Sequence, residues 1–175
     1  MKNKVVLELV QKDTVGTYIE VGQQSYCEHY LHLWENEDSS PYLQSSFIHD
    51  VVHKELEDSN VILFLVKTEN IPVGIVKLIL DQELDEISAK DALLAQKIYL
   101  LKSFSGLGIG KKVLQLIEGF AKNLQKKVVW LDTMQKGKPI HFYLKNGYKI
   151  KKESELKLPG AKAAERPMWI LTKQL

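Results

Sequence analysis

The sequence predicts a single α/β domain, residues 1–175, in which helices cover the faces of a mixed β-sheet. Three observations point there. The chain has 175 residues, 45% of them hydrophobic and 26% charged, which suits one domain with a sizeable core. Strand-length runs rich in β-branched residues alternate with segments whose apolar residues recur at helical spacing. No repeat of roughly 20–50 residues and no Pro/Gly/Ser-rich linker divides the chain.

Residues 5–10 read as a short strand. Asp13 is the expected N-cap of a first helix that reaches about Leu33. Ser40 is the expected cap of a second helix, since Pro41 suits its first position and Leu43, Phe47, Ile48, Val51 and Leu56 repeat along one face. Residues 61–67 and 73–80 form an antiparallel hairpin across a longer loop at 68–72. A polar loop at 81–90 leads to a fourth strand at 93–103. From Ile109 to Lys126, Val113, Leu114, Ile117, Phe120, Ala121 and Leu124 share one helical face. A strand at 128–134, a short helix at 139–146 stopped by Gly147, and closing strands at 148–158 and 168–173 complete the order β-α-α-β-β-β-α-β-α-β-β.

The net charge of +2 argues against a histone-like nucleic-acid binder and against an acidic tail. It hides a split. Residues 1–96 carry 7 basic and 17 acidic side chains, net −10, and residues 97–175 carry 17 basic and 5 acidic, net +12. Each half is expected to face its own partner. Cys27 is the single cysteine, which excludes an intramolecular disulfide framework and a cysteine-cluster metal site. Lys2 and Lys4 precede Val5-Val6-Leu7, but Glu8 interrupts the run before a signal-peptide core can form, and no stretch approaches the ~18 apolar residues of a membrane span. The expectation is a cytoplasmic protein with no membrane or nucleic-acid partner. The pairs His49/His53 and His29/His32 have helical spacing but lack a third ligand and the zincin glutamate, so no metal is expected.

The chemistry concentrates in residues 97–112, where a strand enters a loop with Gly106, Gly108 and Gly110 and the loop opens an amphipathic helix. Glycine lets backbone N–H groups turn inward and leaves room for a phosphate to approach. The helix N-terminus adds about half a positive charge, and Lys111 and Lys112 add whole ones. This is an anion cradle suited to a pyrophosphate. It is neither a Walker A loop nor a Rossmann fingerprint.

The segment resembles the acetyl-coenzyme A motif of the GNAT N-acetyltransferase superfamily, Arg/Gln-x-x-Gly-x-Gly/Ala at a strand-to-helix turn. Ser105 stands where that pattern has Arg or Gln. Downstream, Trp130-Leu131-Asp132-Thr133-Met134 and then Phe142-Tyr143-Leu144-Lys145-Asn146-Gly147-Tyr148 are similar to the family's fifth strand and its terminal Phe-Tyr-x-x-x-Gly-Phe/Tyr signature. The resemblance spans roughly residues 3–174. It implies a mostly antiparallel sheet of about seven strands flanked by about four helices, with splayed central strands, and acetyl-CoA as cosubstrate with coenzyme A as product. The implied cofactor contacts are Ile98, Tyr99, Leu100 and Leu101 on the fourth strand, Ser105, Gly106, Leu107, Gly108, Ile109, Gly110 and Lys111 in the loop, and Lys136 and Lys145 beyond.

The resemblance further implies that Tyr143 is the general acid that protonates the departing thiolate, and that a backbone N–H near Leu100 polarises the thioester oxygen. Relatives often carry a Glu on the fourth strand as base; Gln96 cannot titrate, so a water relay ordered by Gln96 is expected, with Glu28 and Asp132 as weaker candidates. The first two helices form the acceptor wall. Residues 25–30 and 40–47 resemble the helical region of bacterial polyamine acetyltransferases of the PaiA type, which nominates Tyr26, Glu28, Tyr30 and Gln96 as substrate residues. A polyamine also suits the acidic half and aromatic faces. The expected activity is acetyl transfer to a small-molecule primary amine; a protein or antibiotic amine and a non-catalytic acyl-CoA sensor are the alternatives, and a homodimer is left open.

Overall fold

The computed structural model describes residues 4–175. Residues 1–3, which include Lys2 and the start of the expected domain, lie outside the described residues. The elements run β1 (Val5–Leu9), α1 (Val15–Tyr30), α2 (Ser40–Ser46), α3 (His49–Glu57), β2 (Val61–Thr68), β3 (Ile71–Ile79), β4 (Ala92–Leu100), α4 (Ile109–Asn123), β5 (Val128–Met134), α5 (Pro139–Lys145), β6 (Lys149–Glu155) and β7 (Pro167–Gln174). They build one seven-stranded sheet in the order β1-β2-β3-β4-β5-β7-β6. Every neighbouring pair is antiparallel except β4 and β5.

Strand alternation divides the apolar residues between two layers. On one face, Val76, Leu78 and Leu93 of the sheet pack with Val113, Leu114 and Ile117 of α4. On the other, Leu63, Leu65 and Ile75 pack with Val15, Tyr18 and Phe47 from the first helices. Apolar burial on both faces is the main source of stability in this arrangement.

The single parallel pair positions the site. β4 and β5 are in register only from Ala92 to Leu94 against Val128 to Trp130. Beyond those residues β4 continues along β3 and β5 continues along β7, so a wedge opens between them.

The structure corrects three local expectations. The hairpin loop has two residues rather than five, because Glu69 and Asn70 both adopt positive φ, 52° and 65°, and close the turn beside the Thr68–Ile71 pair. A bulge at Val66/Lys67 then accommodates Pro72, which has no N–H to give the ladder. The second helix is two helices. Phe47 leaves the helical path to bury its ring completely against the notch left by Gly22, Ile48 is extended, and Gln23 Nε2 donates to the Phe47 carbonyl at 2.9 Å. The caps also differ. Ser40 lies inside the first turn of α2, and the Asp38 carboxylate accepts its N–H at 3.0 Å. Asp13 sits in a 3₁₀ turn before α1, where the Thr14 hydroxyl accepts the Gln11 N–H at 2.8 Å. Only a further 3₁₀ turn carries the first helix to Leu33.

The charge split is partly internal. The acidic segment 81–91 is latched to the basic half by Lys126 to Asp81, Lys127 to Asp91 at 3.1 Å, Lys151 to Glu86 at 2.7 Å and Lys152 to Asp85. Lys126, nearly buried, also donates to the carbonyls of Ala89 and Lys90. Four of the second half's lysines thus meet carboxylates of the first half within the molecule, which reduces the charge each half can offer a partner.

Candidate active site

The wedge between β4 and β5 opens onto a cleft of about 410 Å³ whose walls come from α1, α2, β4, β5 and α5. The chemistry of its edge follows from ladder phase. Leu101 N–H donates to the Val73 carbonyl at 2.9 Å, so along β4 the N–H groups of Ile98 and Leu100 point away from β3 and towards the wedge. The Leu100 carbonyl is occupied by His29 Nε2 at 3.0 Å, which fixes the end of β4 to α1. Gln96 is the extra residue of a bulge opposite Lys77/Leu78, and it lines the cleft.

At the open end of β4 lies the glycine loop. Gly106 and Gly108 have φ of 78° and 80°, the left-handed region in which a Cβ is strained. Gly108 is the N-cap of α4 and no side chain caps that terminus, so its first N–H groups remain available to an anion. Ser105, Leu107 and Lys111 are exposed around it, while Ile109 is buried in the core. Gly110 has a different role: a Cβ there would meet the Phe142 ring at 3.1 Å, so a hydrogen is what lets α4 approach α5. Lys136 and Lys145 are exposed, and Lys136 lies 3.5 Å from Glu165. The uncapped helix end and the exposed Lys111 carry the sign of charge that a diphosphate, such as that of acetyl-CoA, requires.

β4 divides its side chains between the two layers. Ile98 and Leu100 pack on the α4 side, whereas Tyr99 and Leu101 pack on the α1 side. Tyr99 therefore joins an aromatic wall: its hydroxyl lies 2.6 Å from that of Tyr42, Tyr26 stacks on Tyr42 with ring centres 4.1 Å apart, and Tyr30 stands 5.7 Å from Tyr99. Trp34 Nε1 donates to the Tyr26 hydroxyl at 2.9 Å.

Tyr143 of α5 and Asp132 of β5 line the same cleft. Burial pushes the Tyr143 phenol well above its ordinary value, so it stays protonated, and the neighbouring Tyr30, Tyr148 and Asp132 act in the same direction. Asp132 is exposed to the open cleft, but crowding by the cleft walls strips part of its hydration and raises its carboxyl. Tyr26, Tyr30, Gln96 and Tyr143 are thus brought together. Glu28 is placed elsewhere. Its carboxylate accepts the Lys102 N–H at 2.7 Å and Gln24 Nε2 at 2.9 Å, contacts that hold it below the usual carboxylate range and tie α1 to the segment after β4.

Sequence reasoning missed Tyr42, Glu55, Lys77 and Lys97, all of which line the cleft. A signal existed for the lysines, since Lys77 interrupts an otherwise apolar β3 and Lys97, with Gln96, interrupts the apolar run of β4.

The model of the Acetyltransferase (GNAT) family matches residues 24–148. An uncharacterised N-acetyltransferase in the pepI 3′ region of Lactobacillus delbrueckii subsp. lactis is 22% identical over 143 residues, covering 81% of this chain and 82% of that protein. Among solved structures, the PaiA N-acetyltransferase of Thermoplasma acidophilum in complex with coenzyme A aligns with a TM-score of 0.77 at 17% identity, covering 98% of this chain and 99% of that one. The spermidine/spermine N-acetyltransferase SpeG of Vibrio cholerae aligns at 0.70 and 12% identity, covering 98% and 92%. At those identities the structures speak for the fold, and the fold is the GNAT fold. With a family match across most of its length, a wedge between β4 and β5, and an uncapped helix terminus behind a glycine loop, the chain belongs to the GNAT acetyltransferase family and is an acetyl-CoA-dependent N-acetyltransferase.

Proposed function

We propose that the protein acetylates a small primary amine held in the cleft, with Tyr143 as general acid and Asp132 as the acceptor of the amine proton. The observation that carries this is the convergence of Tyr143, Asp132 and the wedge-facing edge of β4 on one cleft. Acetyl-CoA supplies the thioester carbonyl and a thiolate leaving group. Gly106, Gly108 and the first N–H groups of α4 hold its diphosphate, Lys111 adds positive charge, and the Leu100 N–H is the donor available to the carbonyl oxygen.

An alkylammonium with pKa about 10.4 is only about one part in 2,500 neutral at pH 7, so a group that removes its proton is needed. Asp132 is suited to that work because crowding by the cleft walls strips part of its hydration and raises its carboxyl, making it a stronger base than an ordinary aspartate, while its exposure to the cleft leaves it within reach of an amine. The amine nitrogen then forms the C–N bond and carries one surplus proton, the C–S bond breaks, the Tyr143 O–H gives its proton to the sulfur, and the surplus N–H proton passes to the Tyr143 oxygen, restoring the phenol. Holding both reactants in one cleft supplies a large part of the remaining rate enhancement.

For the acceptor, the aromatic wall of Tyr26, Tyr30 and Tyr42 supports a polyamine, whose methylenes and ammonium groups suit aromatic faces. Its charges support that reading less, because Glu55 is already committed to Lys77 at 2.5 Å. Thiol release from acetyl-CoA measured across alkylamines, diamines, spermidine and amino acids tests the reading. Turnover with a small amine is expected, falling by about a hundredfold in Asp132→Asn. Tight coenzyme A binding with no thiol released for any amine would make the domain a sensor instead.

A further inference from the structure

Lys97 has no role in the chemistry above, and its surroundings are unusual for a lysine. It is only 5% exposed, sits on the central strand β4, and lines the acceptor cleft. Among the described residues its ammonium has no hydrogen-bond or ion-pair partner. It lies over the face of the Phe47 ring, 4.9 Å from Nζ to the ring centre. The charged groups that face it are Glu55 and Lys77. Glu55 gives one oxygen to Lys77, and its other oxygen, also buried, has no partner. One carboxylate therefore serves two lysines, and this end of the cleft carries an excess positive charge.

A buried ammonium that must share a single carboxylate with a second lysine is costly, so a fold that keeps one facing a ligand cleft gains from an anion delivered by the ligand. We propose that Lys97 binds a carboxylate of the acceptor, so that the enzyme acetylates amines bearing a carboxylate, of the amino-acid class, in preference to polyamines. The proposal rests on the cleft being the acceptor site. Geometry supports it. Tyr143 and Asp132 enter the cleft from α5 and β5, whereas Lys97, Lys77 and Glu55 enter it from β4, β3 and α3, with Lys77 paired to Glu55 and Lys97 over the Phe47 ring. An amine at the first group and a carboxylate at the second would occupy one cleft, which Tyr26, Tyr30 and Tyr42 also line. A diamine would instead bring a second ammonium towards Lys97 and Lys77. Burial of Lys97 lowers its ammonium to about 8, which leaves it mostly protonated at neutral pH and able to hold an anion.

The test compares thiol release with ω-amino carboxylates and α-amino acids against alkylamines and α,ω-diamines of matched length, in wild type, Lys97→Met and Lys97→Arg. The expected result is a kcat/KM for the best amino acid at least about tenfold above its matched alkylamine, with the diamine below both. That ratio collapses in Lys97→Met and is partly restored in Lys97→Arg. A diamine equal to the amino acid, or a preference unchanged in Lys97→Met, would overturn the proposal while leaving amine acetylation intact. If no amine is turned over, titration with pentanoate decides. Binding to wild type that is lost in Lys97→Met supports the anion site, and absence of binding to wild type removes it.

Discussion

The hydroxyls of Tyr42 and Tyr99 lie 2.6 Å apart and join α2 to β4 across the acceptor wall. Burial raises both phenols; the Tyr42 hydroxyl also has Ser46 beside it, whereas the Tyr99 hydroxyl depends on Tyr42 for a partner. Tyr42→Phe leaves the Tyr99 hydroxyl unpaired. It is expected to cost about 1–2 kcal/mol in urea unfolding and to raise the acceptor KM severalfold. An unchanged midpoint together with an unchanged KM would show that the wall does not hold the acceptor.

Two glycines separate loop function from simple helix propensity. Gly108→Ala places a Cβ at φ 80° in the loop and is expected to weaken coenzyme A binding by about tenfold, from roughly 1 kcal/mol of backbone strain and a less accessible helix end. Gly16→Ala adds a methyl inside α1 where nothing lies within 4 Å. It should leave binding alone and stabilise the fold by up to about 1 kcal/mol. Equal effects of the two substitutions on calorimetric coenzyme A titrations would refute the assignment of the loop.

Lys97 also predicts a pH signature. Its folded-state ammonium, lowered to about 8, is less basic than in the unfolded chain, with Glu55 opposing and Lys77 reinforcing that shift. The unfolded state therefore binds more protons between about pH 8 and the ordinary lysine value near 10.4, and stability rises with pH across that window. The full penalty is present below pH 8. Lys97→Met is accordingly expected to raise stability at pH 7 by on the order of 1–3 kcal/mol, an advantage that shrinks above pH 8. A destabilised variant at pH 7 would mean that the contact with Phe47 outweighs the cost of burying the charge.

Asp132 gives the acid side of the rate profile. Because partial loss of hydration in the cleft raises its carboxyl, the wild-type limb at which activity appears with increasing pH should lie above the ordinary aspartate range. Asp132→Asn should remove that limb as well as lower kcat. If the limb persists in the variant, a different group takes the proton.

The sheet was legible because its signals are local: β2, β3 and β5 are β-branched runs, and α4 carries its apolar residues on one face. The glycine loop was legible because positive φ at Gly106 and Gly108 leaves few other residues possible. Phe47 was not, since its departure from the helix is decided by Gly22, 25 positions away. The bulge that makes Gln96 the extra residue depends equally on β3, and the Glu28 contact depends on a loop folding back from β4. The charge division was visible by counting, but its meaning was not: Lys126 and its neighbours meet Asp81 through tertiary structure. Asp132, a weaker candidate for the base in the sequence, gained weight only when β5 brought it to the cleft that Tyr143 also lines.

The central claim is that Tyr143 delivers the proton that lets the thiolate leave. Single-turnover thiol release by Tyr143→Phe, at saturating acetyl-CoA and acceptor, tests it most directly. The predicted result is a rate lower by about a hundredfold or more with coenzyme A affinity retained, because only the O–H is removed from the shielded ring. A variant that releases thiol at the wild-type rate would contradict the account.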